Sequence, residues 1–228
     1  MKRPTSVAAL NDFGRVRLSQ HFYMRDFLFS DIAAIHGIAN IPDDPELAIA
    51  AGSRLCEELL EPLQKAFGRV AVRSAYRSCE VNGLGNAMMR EGKKGYNCAA
   101  NEANFADHIW DRLDANNDMG ATACIVLPEF VDAFPNAGDW TRLAWWIHDH
   151  LPYSSLYFFA TNWACNVQWH ENPIRRIDSW AGWQSEDGWK KQGTLTKPGM
   201  DNNERGHEQE WQPLTESFPL SRDVRPRQ

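Results

Sequence analysis

A helix that has to stop, a short apolar strand and then an exposed cation constrain this chain more than any other run of residues. Asp44 before Pro45 opens the helix: the carboxylate can cap the free N–H groups, and proline's fixed φ suits the first helical position. Leu55, Leu59, Leu63 and Phe67 follow at a four-residue step and keep one face apolar. Pro62 lacks an N–H, so a kink or break is predicted there, and Gly68 ends the helix. Val70-Ala-Val72 reads as a strand that delivers Arg73-Ser-Ala-Tyr-Arg-Ser78 to its lip. A guanidinium grips a carboxylate through two parallel bonds. Arg77, with Tyr76 and Ser78 beside it, is therefore a candidate substrate-binding turn; the plainer reading is a surface arginine in a turn.

The remaining segments predict an α+β fold, a small and mainly antiparallel sheet covered by helices on one side. Residues 1–17 read as a polar N-terminal arm, 18–182 as one domain and 183–228 as a polar C-terminal extension. Leu18–Phe27 reads as an extended lead-in to a helical turn capped by Ser19, and Ser30–Gly37 as a short helix with a glycine stop. Residues 79–104, rich in Gly, Asn and Lys, read as a long loop. Ala121–Leu127, between Gly120 and Pro128, has the length and continuity of a buried central strand. Asp139–His150 reads as a capped amphipathic helix, with Ser155–Thr161 and Asn166–His170 as strands. The low-hydrophobicity tail is expected to lie extended over the body or to be partly disordered, with Trp211 and Phe218 to pin it.

Charge and cysteine usage exclude several classes. A formal net charge of −6 does not make a nucleic-acid surface. No window reaches ~18 apolar residues, so no membrane span is expected, and Met1-Lys-Arg is not followed by the apolar run of a signal peptide. Five cysteines with no CxxC spacing argue against a disulfide framework and for a reduced compartment. Ten tryptophans are many for 228 residues and imply a core, or a groove, built from large amphipathic rings.

His108, in Asp107-His-Ile-Trp110, and His170, in Trp169-His-Glu171, each read either as a zinc ligand or as a hydrogen-bonded packing histidine. Cys124 lies inside the apolar run, where an inert buried thiol is the default. His148-Asp-His150 is a poor metal pair, because residues two apart on a helix do not face each other.

The order of Leu18-Ser-Gln-His-Phe22, Asp26-Phe27, Ser30, Leu60-Glu-Pro-Leu63, Arg73–Ser78, His108 and Trp169-His170 resembles the zinc D-Ala-D-Ala carboxypeptidase family, which includes Hedgehog-like and phage endolysin peptidases. The resemblance covers about residues 18–180 and implies a zinc-dependent carboxypeptidase or endopeptidase acting on peptidoglycan stem peptides. His108 corresponds to the family's first histidine, with Ala106 in place of its serine, and His170 to the second. The Gly-x-Ala-x-Asp segment falls at Gly120–Cys124, so the implied metal set is His108, Cys124 and His170, with Asp111 or Asp114 as an alternative oxygen ligand. The family's general base would fall at Val167; Glu171, Asp107 or Asp111 is the substitute. Arg77 would take the substrate carboxylate. A wall-directed protein made in the cytoplasm without a leader would leave inside a virion or after lysis. A catalytically inactive virion or tail component on the same fold, in contact with other virion proteins, is therefore the second expectation. A cysteine-dependent enzyme using Cys124 or Cys165 is the third.

Overall fold

The computed structural model describes residues 1–185, 187–196 and 206–224. Along the chain run α1 (Val7–Gly14), α2 (Asp31–His36), α3 (Pro45–Leu55), α4 (Glu61–Phe67), β1 (Ala71–Ser74), α5 (Cys79–Arg90), β2 (Gly120–Val126), α6 (Pro128–Ala133), α7 (Trp140–His150), β3 (Ser155–Phe158), β4 (Cys165–His170), β5 (Arg176–Ser179), β6 (Trp183–Ser185), β7 (Gly188–Lys190), β8 (Gly193–Thr194), α8 (Glu208–Trp211) and α9 (Leu214–Ser217). This is an α+β chain. It divides into two compact units, Met1–Glu57 with Ser74–Ala123, and Glu58–Arg73 with Cys124–Gln228.

The first unit is helical. Ser6 caps α1 by accepting from Ala9 N at 3.1 Å, so the expected polar arm contains a helix. Phe13 and Gly14 are its buried residues, too narrow a face to give a helical period. The turn at Met24–Phe27 is a 3-10 helix; Asp26 Oδ2 accepts from Tyr23 N at 2.8 Å, and Tyr23, not Ser19, is the cap position. Asp44 caps α3 through Glu46 N and Leu47 N, both at 3.1 Å, as the sequence predicts, and Ser30 caps α2. The core gathers around Trp110, whose ring lies 5.3 Å from Phe27 and 6.1 Å from Tyr76.

The expected loop at 79–104 begins as α5, capped by Ser78 Oγ on Val81 N at 3.2 Å. Its buried residues are Val81, Asn82 and Gly85. Asn82 donates to Ala99 O at 3.0 Å and Asn86 to Cys98 O at 2.7 Å, which fastens the following segment onto the helix. Gly85 allows that approach: a Cβ there would stand 2.6 Å from Cys98 Sγ and 2.8 Å from Ile32 Cδ1. A helix that buries Asn and Gly beside a single valine carries only a narrow apolar stripe, which sequence reading passes over.

A mixed sheet has the strand order β1-β2-β4-β3-β5-β8. β3 pairs antiparallel with β4 and parallel with β5, and β5 pairs antiparallel with β8, so the sheet is mixed. Leu156, Phe158, Cys165, Val167, Trp169 and Ile177 are among its buried side chains. A π turn at Cys56–Leu60 precedes α4 where Pro62 predicted a break, and Gly68 ends α4 at φ +87°. Phe67 meets Trp146 at 4.7 Å and Phe218 at 5.2 Å, both edge-on. Asp139 stands at the cap position of α7 but makes no side-chain cap bond; its Oδ2 accepts from Asn136 N at 2.9 Å instead. The C-terminal segment, expected to be extended or disordered, carries a β6–β7 hairpin, α8 and α9 among its described residues. Its residues 197–205 and 225–228 lie outside the described residues. No described helix is long and apolar enough to cross a membrane.

Gly85→Ala should lower unfolding stability by about 1–3 kcal/mol, because the new methyl group meets a packed sulfur and a packed isoleucine. Chemical denaturation checks this; a change below about 0.5 kcal/mol would mean that α5 and its flanking segment are not packed as described.

Candidate functional site

The turn after β1 is built around His108. Ala75 O accepts from His108 Nδ1 at 2.8 Å, and Arg77 N donates to His108 O at 2.8 Å. A carbonyl can only accept, so the proton sits on Nδ1 and Nε2 carries the lone pair. Burial, then the nearby Arg77 charge, push the His108 pKa down to about 4, so the ring is neutral at ordinary pH. A neutral imidazole whose second nitrogen is fixed by a backbone carbonyl is what a metal ligand requires. Arg77 is half-buried; its Nη1 donates to Cys98 Sγ at 2.7 Å, and among the described residues no acceptor meets its buried Nε.

Tyr76 and Ser78, predicted to shape the substrate turn, hold structure instead. Tyr76 is wholly buried; desolvation and the facing Asp111 carboxylate raise the pKa of its hydroxyl. Ser78 caps α5, and its N donates to Asn40 Oδ1 at 2.7 Å. Asp111 Oδ2 accepts from Asp43 N at 2.7 Å, and burial raises the carboxyl's pKa. This carboxylate is committed to the fold, which speaks against the alternative that it serves as ligand or base. Asp107 Oδ1 accepts from the Thr122 hydroxyl. The structure thus brings together Arg77 and His108, both in the first unit.

Cys124 and His170 lie in the second unit, on β2 and at the end of β4. Cys124 is buried and none of the five cysteines is in a disulfide. His170 Nδ1 faces Asn172 O at 3.1 Å and Asn172 N at 3.0 Å. Donation to the carbonyl is the tautomer that leaves a lone pair on Nε2. Glu171 is exposed beside it, and Val167, at the position of the family's base, is a fully buried core residue.

A separate group in the second unit is able to hold a metal. One ligand atom each from His148, Asp149 and His207 lie within 4.8 Å of one another. His148 and Asp149 end α7, and both are buried. Asp149 Oδ1 accepts from His207 Nδ1 at 2.9 Å, while Oδ2 accepts from His207 N and from Trp211 Nε1, both at 2.8 Å. Burial alone would raise the Asp149 pKa, but these donors outweigh it and hold the carboxyl below its ordinary range. His148 Nδ1 meets the Tyr153 hydroxyl at 2.6 Å. The Trp145 ring stacks on His207 at 3.9 Å and stands edge-on to His148. His150 takes no part: it bonds Trp146 O at 2.8 Å and stacks on that ring. The sequence reading missed His207. The usable signal is its spacing: His207 and Trp211 stand four apart, on one face of a helical turn, and both reach Asp149.

Comparison of the chain with family models, curated proteins and solved structures finds no match.

Two outcomes follow. The His108 pKa is lower in the fold than its unfolded value near 6.5, so the unfolded chain binds the extra proton. The metal-free protein therefore loses stability as pH falls from about 6.5 toward 4, by on the order of 3 kcal/mol, and His108→Gln removes this dependence. Urea unfolding across that range checks it. Asp149→Asn places an amide against donors that a carboxylate accepted, and should cost about 2–3 kcal/mol. Hydrogen exchange should then quicken first in residues 206–224; unchanged protection there would refute the role given to Asp149.

Proposed function

We propose that this chain is a zinc-dependent, peptidase-like protein that acts on peptidoglycan stem peptides. The supporting observation is the pairing of Arg77 with His108, a cation with an unmet buried N–H beside a neutral imidazole held by a carbonyl. Buried donors without acceptors are rare in folded proteins, and a carboxylate is the natural partner for a guanidinium edge. A stem peptide ends in a free carboxylate. Arg77 would bind and orient that group, and His108 would be a metal ligand; Cys124 and His170 are the other two ligands that the sequence resemblance implies. His/Cys donors suit zinc. When bound, zinc supplies Lewis-acid polarisation of a carbonyl. Glu171 is the nearest acid in sequence to His170 and would accept the proton from the attacking water.

One observation favours a second reading, a binding module that holds the same peptide without cutting it. Val167 is fully buried, so no side chain at that position supplies a base.

Metal analysis and hydrolysis of purified peptidoglycan test both readings. The enzymatic reading expects zinc in the purified chain and chelator-sensitive release of stem-peptide fragments. Arg77→Lys keeps the charge and the backbone bond to His108 but loses the fork, and should lower kcat/KM roughly 10- to 100-fold. Zinc and peptide binding without release supports the module. A chain that takes up no zinc and binds no stem peptide sinks both.

A further inference from the structure

We propose that His148, Asp149 and His207 form a second divalent-metal site, of zinc type, that clamps the C-terminal segment His207–Asp223 to the end of α7. The ligand atoms follow from the bonds each side chain already makes. His148 Nδ1 is engaged by the Tyr153 hydroxyl at 2.6 Å, so its ligating atom is Nε2. Asp149 Oδ2 is engaged by two N–H donors, so the ligating oxygen is Oδ1. His207 Nδ1 faces that oxygen at 2.9 Å. Ligands about 2.0–2.1 Å from a tetrahedral ion stand about 3.3 Å from each other. The His207–Asp149 hydrogen bond thus already has nearly the separation of two ligands around one ion. Binding replaces that hydrogen bond: in the ligating tautomer the ring carries its proton on Nε2, and Nδ1 gives its lone pair to the metal.

The surroundings match those of a metal site. Two of the ligands are oriented by a polar partner: Tyr153 for His148, and Trp211 Nε1 with His207 N for Asp149. Trp145 stacks flat on His207 at 3.9 Å and stands edge-on to His148 at 5.4 Å, which fixes both rings and keeps one side apolar. Two imidazoles and one carboxylate leave a fourth position to water, and the donor set suits zinc or cobalt. His148 and Asp149 lie nearly 60 positions before His207, since Asp149 and His207 are 58 apart. An ion there closes a long loop, the case in which a cross-link restrains the unfolded chain most. This site shares no residue with the proposed His108, Cys124 and His170 set.

Cobalt and zinc titration of the chelator-stripped full-length chain tests the inference apart from the proposed function, because only a site containing Cys124 gives a thiolate-to-cobalt charge-transfer band. In Cys124→Ala, one equivalent of Co2+ should still bind, with visible d–d bands and no charge-transfer band. Introducing His207→Gln into that background should weaken the binding at least 10-fold. Zn2+ should raise the thermal midpoint of Cys124→Ala and slow hydrogen exchange in residues 206–224, and neither effect should survive His207→Gln. His207 is only half-buried, so this variant is expected to fold, and the circular dichroism and thermal midpoint of the metal-free variant check that. If it does not fold, His148→Asn carries the same comparison. Cys124→Ala that binds no metal overturns the site, as does equal binding with and without His207. Binding that leaves exchange in 206–224 unchanged overturns the clamp.

Discussion

Two hydrogen bonds between the Ala75–Arg77 turn and His108 determine what the first unit can offer to a ligand. The bond from His108 Nδ1 sets the tautomer, and the bond from Arg77 N sets where the guanidinium begins. Neither depends on a flexible side chain at the acceptor end, so the geometry is carried by backbone. Around it, the fold spends its polar side chains on support. Asn40 Nδ2 ties Leu28 O to Tyr76 O, at 3.0 and 2.8 Å, while its oxygen accepts from Ser78 N. The apolar ring of Tyr76 lies against Trp110. Residues that look like a binding motif in one dimension thus divide in three: Tyr76 and Ser78 hold the turn, and Arg77 is what the turn presents.

In the second unit the corresponding constraint is the Asp149 carboxylate. It is nearly buried, and such a charge is tolerated only when its lone pairs are met. Three N–H donors meet it, all from residues 207–211. The same carboxylate therefore organises α8 and recruits Trp211 into the aromatic cluster around α7. The core on the other side of this segment is apolar, through Phe218 against Phe67 and Phe134. Trp211, Phe218, the fully buried Leu214 and one charge all tie this segment to its surroundings.

Local rules made much of this legible. Asp44-Pro45, Gly37 and Gly68 each carry a mechanism that works within a few residues, and the structure follows them. The buried strand at Gly120–Val126 was equally plain, since continuous apolar runs of that length have few other uses. What stayed hidden depends on partners far along the chain. α5 buries Asn82 and Gly85 as well as Val81, with Asn82 and Gly85 against residues 98–101, so its apolar face is narrow. The parallel pairing of β3 with β5 arises from topology, not from either strand's composition. Arg77 and His108 were visible as candidate residue types, while the carbonyl that holds the imidazole was not. His207 was not, because its significance lies in Asp149, far upstream in a segment of different composition.

Strand alternation in β4 has an evolutionary consequence. Along Cys165–His170 the buried residues are Cys165, Val167 and Trp169, and the others, Asn166, Gln168 and His170, share the opposite face. An acid that arose at 167 would be driven into hydrocarbon, at a heavy cost in folding. One that arose at 168 would share a surface with His170 and replace an amide of nearly the same shape. A lineage descending from such a chain could acquire a carboxylate on that surface by exchanging one atom group, without first rebuilding its interior.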